Sequence, residues 1–480
     1  MKKNFNNRVL PISLLLIFFL PITTSGMPKP SYYHRSADRL FWFMVISDIH
    51  IGADGSQDTD YLTWAVNSAY DTIAPHFVVA TGDLTDATNG GIIPLGQFTE
   101  EWEAYRHILD TAGMHAGVYY DIPGNHDHYD DEYFDYYRAY SIQGSVSDTT
   151  QHSWTRIFSY GKYHFLGIAT AGNDGAEFSI WPWDNFGDHA ELTSDEIAFL
   201  ESALTANPDA EITFMFGHHP FEADASDWTE TAIQDGLDDL LNLIDLHGVS
   251  LYGYGHTHNY MEAIWSKDIV SEIFYINTDS LGKSNQDHYT VMAVDGNGVS
   301  MVPARKDLWP VVLITAPADR FLWQPPEEVF NPYAYEIPPG KANPIRAMVF
   351  SPDPVYWVKF QIDGSSSWQD MQQIGQTPVW VGYWDASGAS MGPHTVSVQA
   401  QGAATISHQV QTYINPALCL ADYDRDGDID GLDLRAFLIE AGRSDCTPEN
   451  SCDWDFDNSG DVAAADINVL AGEFGKSNCP

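Results

Sequence analysis

The chain has 480 residues, room for about two to four domains, and its 44% hydrophobic content with 15 tryptophans describes a folded rather than a disordered protein. Acidic residues outnumber basic ones by 67 to 22, which gives a formal net charge of −45. This excess excludes nucleic acid and anionic membranes as expected partners, because few basic side chains are available to neutralise phosphates, and it favours cations.

The first 26 residues have the layout of a secretory signal peptide. Three of the first eight are basic, an apolar run follows from Val9 to about Leu20, and small residues lead up to Gly26. An uncleaved membrane anchor is the alternative, but about 12 apolar residues interrupted by a proline are short for a span of ~20. We therefore expect a cleaved signal peptide over residues 1–26, a secreted or cell-surface protein, and no transmembrane span in the mature chain.

Residues 38–308 alternate short β-branched or aromatic runs with amphipathic helical stretches, a pattern typical of a layered α/β domain. Three predicted helices have recognisable ends: one starts at a capping box of Thr193 and Glu196, one runs from Thr99 to near Gly113, and one runs from about Thr231 to Gly248. After Trp309, short strand-like runs separated by turn residues predict an Ig-like all-β sandwich over residues 309–415. Its proline-rich segment 323–344 is expected to be a long ordered connection, or else a linker.

Polar motifs follow five apolar strands of the first domain, each at the point where the strand ends. In chain order they are Asp48-Ile49-His50, Gly82-Asp83-Leu84-Thr85-Asp86, Gly124-Asn125-His126-Asp127, Gly217-His218-His219-Pro220 and Gly255-His256-Thr257-His258. A single aspartate or histidine in such a place is usually a turn residue, a helix cap or a satisfied core residue. Five of the same kind indicate loops that open on one rim of a sheet, where ligands gather in α/β proteins.

These residue types suit a centre with two divalent metal ions. Imidazole suits Zn, Mn or Fe, and one carboxylate can bridge two ions about 3.5–4 Å apart. Two dications with two aspartates and a bridging hydroxide leave a net positive charge that attracts phosphate, and a neutral Asn125 preserves that charge where a third carboxylate would remove it. The metals would also lower the pKa of bound water enough to supply hydroxide near neutral pH.

The ordered set D-x-H, G-D-x-x-D, G-N-H-D, G-H-H-P and G-H-x-H resembles the calcineurin-like metallophosphoesterases over most of residues 38–308. The resemblance implies an α/β fold in which a β-sandwich is flanked by helices in α/β/β/α layers. Together with the all-β segment that follows, the arrangement is similar to the transmembrane-protein-62-like branch of that family. The chain is expected to differ from those relatives by lacking C-terminal membrane segments.

The resemblance also implies a role for each motif residue. One metal would be held by Asp48, His50 and His258, the second by Asn125, His218 and His256, and Asp83 would bridge the two. His126 would face the substrate, where it stabilises phosphoryl charge or protonates the leaving oxygen, and Asp127 or Asp86 would orient it. His219 is expected to lie behind the ligands or to be structural.

Residues 419–480 contain an internal repeat and hold 15 acidic against 4 basic residues. Four landmark pairs share an offset of 33 residues: Cys419/Cys452, Gly427/Gly460, Asp433/Asp466 and Cys446/Cys479. An even number of cysteines in an exported tail predicts disulfides, and a metal cluster is less favoured because no Cys-x-x-Cys pair is present. We prefer one bridge per repeat, Cys419–Cys446 and Cys452–Cys479, with the other two pairings open.

Each repeat has the spacing of an EF-hand calcium loop, in which alternate oxygens wrap the ion and a central glycine allows a sharp turn. The first loop offers Asp422, Asp424, Asp426, Asp428, Asp430 and Asp433, and the second offers Asp455, Asp457, Ser459, Asp461 and Asp466. Asp428 and Asp461 would contribute their main-chain carbonyls. Ala463 occupies position 9 of the second loop, so we expect the second site to be weaker.

Two such loop–helix units resemble a type I dockerin module, a small α-helical calcium domain, over residues 419–480. The resemblance implies Ca²⁺ as a ligand and a cohesin-like scaffold protein as a partner. The loop-end positions hold Gly431-Leu432 and Ala464-Ala465, where the Ser-Thr type of pair often stands.

The sequence therefore predicts a secreted, binuclear metal-dependent phosphoesterase with Mn, Fe or Zn in its centre, an Ig-like spacer and a calcium-binding docking tail. Its substrate would be a phosphate mono- or diester. The alternative is a non-catalytic surface or scaffold-associated protein that only binds phosphorylated ligands.

Overall fold

The computed structural model describes residues 36–53, 57–91, 96–171, 190–222, 232–283, 286–324, 327–331, 333–415, 417–423, 427–447, 449–477 and 479. The predicted signal peptide, residues 1–26, lies outside these ranges, as do the predicted calcium ligands Asp424 and Asp426. Among the described residues, no helix combines the length and the apolar character needed to cross a membrane.

Two β-sheets face each other in the first domain. The first has the strand order β11-β10-β1-β2-β3 and consists of β1 (Leu40–Ile46), β2 (Val78–Thr81), β3 (Tyr119–Ile122), β10 (His288–Asp295) and β11 (Gly298–Arg305). The second has the order β4-β5-β6-β7-β9-β8 and consists of β4 (His152–Phe158), β5 (Gly161–Gly167), β6 (Ile212–Phe216), β7 (Leu251–Tyr254), β8 (Met261–Trp265) and β9 (Ile273–Asn277). Strands β1, β2 and β3 run parallel, as do β5, β6, β7 and β9, so each sheet collects several carboxyl ends on one edge.

Aromatic side chains fill the space between the two sheets. Phe43 of β1 and Phe77, which directly precedes β2, lie against Phe165 of β5, with ring centroids 5.8 and 4.9 Å from that of Phe165. Phe165 stacks in turn on Phe214 at 4.9 Å, and all four rings are fully buried. Aromatic pairs at these separations add specific geometry to the hydrophobic effect, so this layer sets how the two sheets sit relative to each other.

Helices cover the outer faces of both sheets and complete the four layers. The described helices of this domain are α1 (Gln57–Trp64), α2 (Tyr70–Ile73), α3 (Thr99–Thr111), α4 (Asp135–Tyr140), α5 (Ile142–Ser147), α6 (Ser194–Thr205) and α7 (Leu237–His247), with a π-helical segment over Ala65–Ala69 between α1 and α2. The capping box at Thr193 is present, and α3 begins at Thr99 as predicted. The predicted start of α7 near Thr231 is wrong: Gly236 has a φ of 79° and packs against the main chain of Leu192, and the helix begins after it.

Two antiparallel four-stranded sheets follow and enclose a second hydrophobic core. Their strands are β12 (Val311–Ala316), β15 (Asn343–Phe350), β19 (Val379–Trp384) and β18 (Gln372–Gln373) in one sheet, and β17 (Gln369–Asp370), β16 (Trp357–Ile362), β20 (Gly392–Gln401) and β21 (Thr405–Ile414) in the other. The proline-rich segment is not merely a connection, because it includes part of a hairpin of β13 (Phe321–Gln324) and β14 (Glu327–Phe330) that reaches back to β8.

A buried ion pair joins the two parts of the chain. The Arg346 guanidinium on β15 donates two hydrogen bonds, of 2.8 and 3.2 Å, to the carboxylate of Asp295 at the end of β10. Thr315 on β12 donates a third, of 2.8 Å, to the same carboxylate. All three side chains are at most 1% exposed. The pair therefore fixes the β-sandwich against the first domain at the strand that borders β1.

The tail contains two helices, α8 (Gly431–Glu440) and α9 (Ala464–Glu473), around a small core that includes Trp454. Its four cysteines form disulfides, as predicted, but the preferred pairing is wrong: the bridges are Cys419–Cys479 and Cys446–Cys452. The two repeats pack on each other crosswise. The Cys479 N–H donates to the Gly427 carbonyl and the Cys446 N–H to the Gly460 carbonyl, so each repeat ends beside the loop of the other. One bridge therefore closes the whole module and the other spans the junction.

Replacement of Arg346 by methionine should destabilise the protein by about 3–5 kcal/mol, because it removes the positive charge that balances the buried Asp295 carboxylate. Urea unfolding followed by circular dichroism measures the effect. Arg305→Met is the matched control, since Arg305 is 58% exposed and its 3.0 Å ion pair with Asp287 should be worth less than about 1 kcal/mol. Equal losses in the two variants would show that the buried pair does not join the domains.

Candidate metal centre

The seven predicted metal ligands stand at the carboxyl ends of β1, β2, β3, β6 and β7. Five of them adopt the left-handed region: Asp48 (φ 51°), His50 (51°), Asp83 (52°), His256 (68°) and His258 (52°). Non-glycine residues rarely take this conformation, which costs about 1–3 kcal/mol each unless surrounding structure maintains it, and it clusters at functional sites. The tight turns aim successive side chains of each loop toward one point between the sheets.

The Asp83 carboxylate lies at that point. Its Oδ2 is 3.3 Å from Nε2 of His50, and its Oδ1 is 3.3 Å from Nε2 of His218. His50 comes from the first sheet and His218 from the second. The main-chain N–H of His126 also donates to Oδ1, at 2.9 Å. Asp83 thus connects the two predicted ligand groups, which is the position required of a bridging carboxylate.

The first ligand group is assembled around Asp48. Its Oδ1 lies 3.2 Å from Nε2 of His258 and 3.9 Å from Nε2 of His50. The ligand atoms of these three residues all lie within 4.8 Å of one another. The His256 N–H donates to both Asp48 oxygens at 3.1 Å, which holds the carboxylate in place across the gap between the sheets.

The second ligand group is assembled around His218. Its Nε2 lies 3.0 Å from Oδ1 of Asn125, and its ring centroid is 5.2 Å from that of His256. His219, which we expected to lie behind the ligands or to be structural, has a ring nitrogen within 4.8 Å of ring nitrogens of His218 and His256. Its Nδ1 lies 2.8 Å from the Thr170 hydroxyl, a contact that orients the ring.

Hydrogen bonds on the far side of the rings orient the two central histidines. Nδ1–H of His50 donates to the Asp86 carboxylate at 2.8 Å, and Nδ1–H of His218 donates to the Thr81 carbonyl at 2.7 Å. Each bond leaves Nε2 as the ligating atom, the usual arrangement behind a metal-bound imidazole. Nε2 of His50 is buried without a hydrogen-bond partner among the described residues and faces two carboxylates. A divalent cation fits these donors.

Two motif glycines are required by close approach of the main chain. A Cβ on Gly82, which has a φ of 99°, would lie 2.5 Å from Nδ1 of His218. A Cβ on Gly124 would collide with the carboxylate of Asp83. The glycines in these motifs therefore make room for the ligands of neighbouring loops, in addition to permitting the turns.

His126 has one fixed ring nitrogen and one that faces the centre. Its Nδ1–H donates to the Asp86 carbonyl at 2.7 Å, while Nε2 lies 4.0 Å from Oδ2 of Asp83 in a side chain that is 15% exposed. Asp86 thus orients His126 through its main chain and His50 through its carboxylate. The Asp127 carboxylate is placed differently from our expectation: it accepts from the main-chain N–H groups of Gly124, Leu84 and Thr85. It joins two loops instead of orienting His126 directly.

The loop after β9 contributes residues that the motifs did not predict. Ser280 donates its hydroxyl to the Asp48 carbonyl at 2.9 Å, and Gln286 donates its amide to the His258 carbonyl at 3.0 Å. The Lys283 ammonium contacts the Asp86 carboxylate. This loop follows an apolar strand, as the five motifs do, and that position was the available signal for finding it.

Burial and charge set the protonation of the ligands before a metal binds. Burial lowers the pKa of His50 to about 4, with Lys283 and His126 acting in the same direction. Burial raises the pKa of Asp48, but His258 outweighs it and brings that pKa to about 2. Burial also lowers the pKa of His218, but Asp83 outweighs it and raises that pKa to about 10. At neutral pH, His50 and Asp48 are ready to ligate, whereas His218 must first lose a proton.

Comparison with known proteins agrees with this site. Residues 41–260 match the family model described as calcineurin-like phosphoesterase. This part of the chain is therefore similar to a calcineurin-like phosphoesterase domain. Domains of this kind occur in hydrolases that act on phosphoric ester bonds. The matched family also implies divalent metals, which the ligand groups described above could hold.

Two relatives are similar over longer stretches. Mouse "Transmembrane protein 62" is 27% identical over 402 residues, which cover 79% of this chain and 57% of that protein. An Arabidopsis thaliana protein named "Putative metallophosphoesterase" is 26% identical over 265 residues, which cover 51% of this chain and 34% of that protein. The chain thus spans less than two thirds of either relative. A crystal structure of a dimetal phosphatase from Danio rerio matches at 14% identity with a TM-score of 0.41, covering 55% of this chain and 96% of that one.

The metal affinity of the candidate centre should rise with pH. His218 is protonated in the metal-free protein below its raised pKa, so Mn²⁺ must displace one proton from it, and affinity should increase by about tenfold per pH unit between pH 6 and 8. Calorimetric titration in two buffers with different ionisation enthalpies counts the released protons. His218→Gln should lower that count by one. A count that is identical in the variant and the wild type would contradict the assignment.

Proposed function

We propose that the chain is an exported, binuclear metal-dependent phosphoesterase that hydrolyses phosphate mono- or diesters. The observation that carries the proposal is the Asp83 carboxylate, 3.3 Å from a histidine of each ligand group. Asp48, His50 and His258 would hold one metal, and Asn125, His218 and His256 the second. When bound, the metals supply Lewis-acid charge and a nucleophile at neutral pH.

The protein groups around that centre have separate tasks. The Nδ1–H of His126 is engaged with the Asp86 carbonyl, so proton transfer can occur only at Nε2. As an imidazolium, His126 would stabilise charge on the phosphoryl group and deliver the Nε2 proton to the leaving oxygen. Asp86 keeps the ring of His50 in its ligating tautomer. Asp127 maintains the geometry of the loops that carry Asp83 and His126.

His126→Ala should lower kcat for a chromogenic phosphate ester by about 10²–10⁴-fold at unchanged Mn²⁺ content, because it removes the proton donor and leaves the ligands intact. Asp83→Asn should lose both activity and metal. Steady-state kinetics and elemental analysis measure the two effects, and His107→Ala, on the exposed side of α3, is the control.

The alternative, a binder of phosphorylated ligands without catalysis, predicts a different result. Wild-type protein that binds two metals but turns over neither phosphate monoesters nor diesters would rule out the enzyme and support the binder.

Export of the mature chain is part of the proposal. The predicted signal peptide supports it, and so do the two disulfides, because such bridges persist in oxidising compartments. The net charge of −45 is consistent with an extracellular or cell-surface protein that binds cations.

We further propose that residues 419–480 bind calcium. The position-12 carboxylates, Asp433 and Asp466, are fully buried and make matching hydrogen bonds: each accepts from main-chain N–H groups at positions 2 and 9 of its own loop. Gly427 and Gly460 share φ values near 90°. Asp455 is 5% exposed and accepts from two N–H groups within the second loop. This repetition supports two calcium loops of the same design.

The proposed partner of this module is a cohesin-like scaffold protein. Three apolar side chains of α8 support a docking face, since Leu432, Leu438 and Ile439 are more than half exposed. None of these residues belongs to the hydrophobic core of the module, which forms around Trp454 and Phe437.

Calcium should protect residues 419–480 from protease, because the acidic loops repel themselves without the ion. Limited proteolysis in calcium and in chelator, read by mass spectrometry, measures the effect. Asp433→Asn should remove most of the protection of the first loop, whereas Asp445→Asn, an exposed aspartate outside both loops, should not. Identical digestion in calcium and chelator would rule out the calcium module.

A further inference from the structure

Asn125 is the neutral amide among the predicted metal ligands, and only one of its two terminal atoms can ligate. An amide oxygen has lone pairs that a divalent cation can accept, whereas the amide NH₂ group is a hydrogen-bond donor. Oδ1 of Asn125 lies 3.0 Å from Nε2 of His218, on the side of the second ligand group. A half-turn of the amide would place the NH₂ group there instead. An aspartate would not have this requirement, because both its terminal atoms are oxygens. The neutral ligand therefore needs a group that holds its amide in one orientation.

The Tyr129 hydroxyl makes the contact that holds this amide. Nδ2 of Asn125 donates to it at 3.1 Å. Asn125 is 6% exposed and Tyr129 is 4% exposed, so the bond lies in the interior. Nδ2 and Oδ1 are the two branches of one planar amide, and a fixed partner for Nδ2 therefore also fixes where Oδ1 points. The bond keeps Oδ1 on the side of His218.

The main chain of Tyr129 is anchored independently of its hydroxyl. Residues 126–128 form a 3₁₀ turn that brings Tyr129 back beside Asn125. The Gln97 side-chain amide donates to the carbonyl of the first residue of this turn at 2.8 Å and to the Tyr129 carbonyl at 3.0 Å. The Trp102 indole N–H donates to Oε1 of Gln97 at 2.7 Å, which directs the Gln97 NH₂ group to the turn. Removal of the hydroxyl would leave these bonds in place.

The ring of Tyr129 makes a second contact that does not involve the hydroxyl. It packs edge-on against the ring of His126, with centroids 4.9 Å apart. A phenylalanine at position 129 would keep this contact and lose only the bond to Asn125. The two contributions of Tyr129 can therefore be separated by one substitution.

We propose that Tyr129 is a positioning residue whose hydroxyl holds the Asn125 amide with Oδ1 toward the second metal. The inference rests on the proposed function, since it concerns the second ligand group of the same centre. It is a statement about metal binding, so Mn²⁺ affinity tests it without any turnover.

The binding test is a double-mutant cycle followed by calorimetric titration with Mn²⁺ at pH 8. Tyr129→Phe should weaken one of the two Mn²⁺ equivalents by about tenfold or more and leave the other within about threefold of wild type. Asn125→Ala should weaken the same equivalent at least as much, because it removes the ligand. In the Asn125→Ala background, Tyr129→Phe should change that affinity by less than about threefold, since the hydroxyl then has no amide to hold. Equal losses in the two backgrounds would overturn the proposal.

Tyr137→Phe is the matched control for loss of a buried tyrosine hydroxyl. The Tyr137 hydroxyl donates to the Asp121 carbonyl at 2.8 Å and lies 2.8 Å from Nε2 of His152, instead of contacting a predicted ligand. This variant should lower Tm by about as much as Tyr129→Phe and leave both Mn²⁺ affinities within about threefold of wild type. If it weakens Mn²⁺ binding as much as Tyr129→Phe does, the effect is a general loosening of the fold and the proposal is wrong.

The kinetic test uses 4-nitrophenyl phosphate at limiting and at saturating Mn²⁺. Tyr129→Phe should lose activity at limiting Mn²⁺ and return to within about threefold of the wild-type kcat at saturation, because the ring still contacts His126. A loss of kcat that persists with both metals bound would contradict a role confined to positioning Asn125. Wild type that binds two Mn²⁺ ions but hydrolyses neither monoesters nor diesters would refute the proposed function, while the titrations would still decide the role of Tyr129. Wild type that binds fewer than two would refute both.

Discussion

The candidate metal centre depends on the position of the Asp83 carboxylate, which lies between His50 of one sheet and His218 of the other. Its two oxygens can reach both imidazoles only if the carboxyl ends of β2 and β6 stay at a defined separation. The buried aromatic layer between the sheets, in which Phe43 and Phe214 pack around Phe165, sets that separation. Core packing far from the solvent therefore determines the geometry of a polar site at the rim.

The site also stores backbone strain. The left-handed conformations of Asp48, Asp83 and His258 are each unfavourable, and they persist because contacts with neighbouring loops hold these residues in place. The main-chain hydrogen bonds of Asp127, together with motif glycines that admit close approach, fasten the loops to one another. Two carboxylates, Asp86 and Asp127, thus support the ligands without occupying ligand positions, and a lysine from a separate loop balances the charge of the first.

Much of this organisation could be predicted from the sequence. Hydrophobic periodicity indicated the layered α/β domain and the β-rich region after it, and the strand-end motifs named the residues that the fold brings together. Errors arose where the outcome depends on contacts between distant segments. The start of α7 was predicted too early because Gly236 packs against Leu192, and the disulfide pairing was wrong because the two tail repeats cross.

By itself, the sequence determined which residue types stand at the strand ends, because a tight turn and its metal-ligating side chains are both specified by a few adjacent residues. Only the tertiary structure decided which nitrogen of each histidine faces the centre, and that Asp127 joins loops while Asp86 contacts His50. It also brought Lys283 to Asp86 across 197 positions of the chain. Such contacts depend on how sheets and loops pack in space, and that packing cannot be read from the spacing of residues in one sequence.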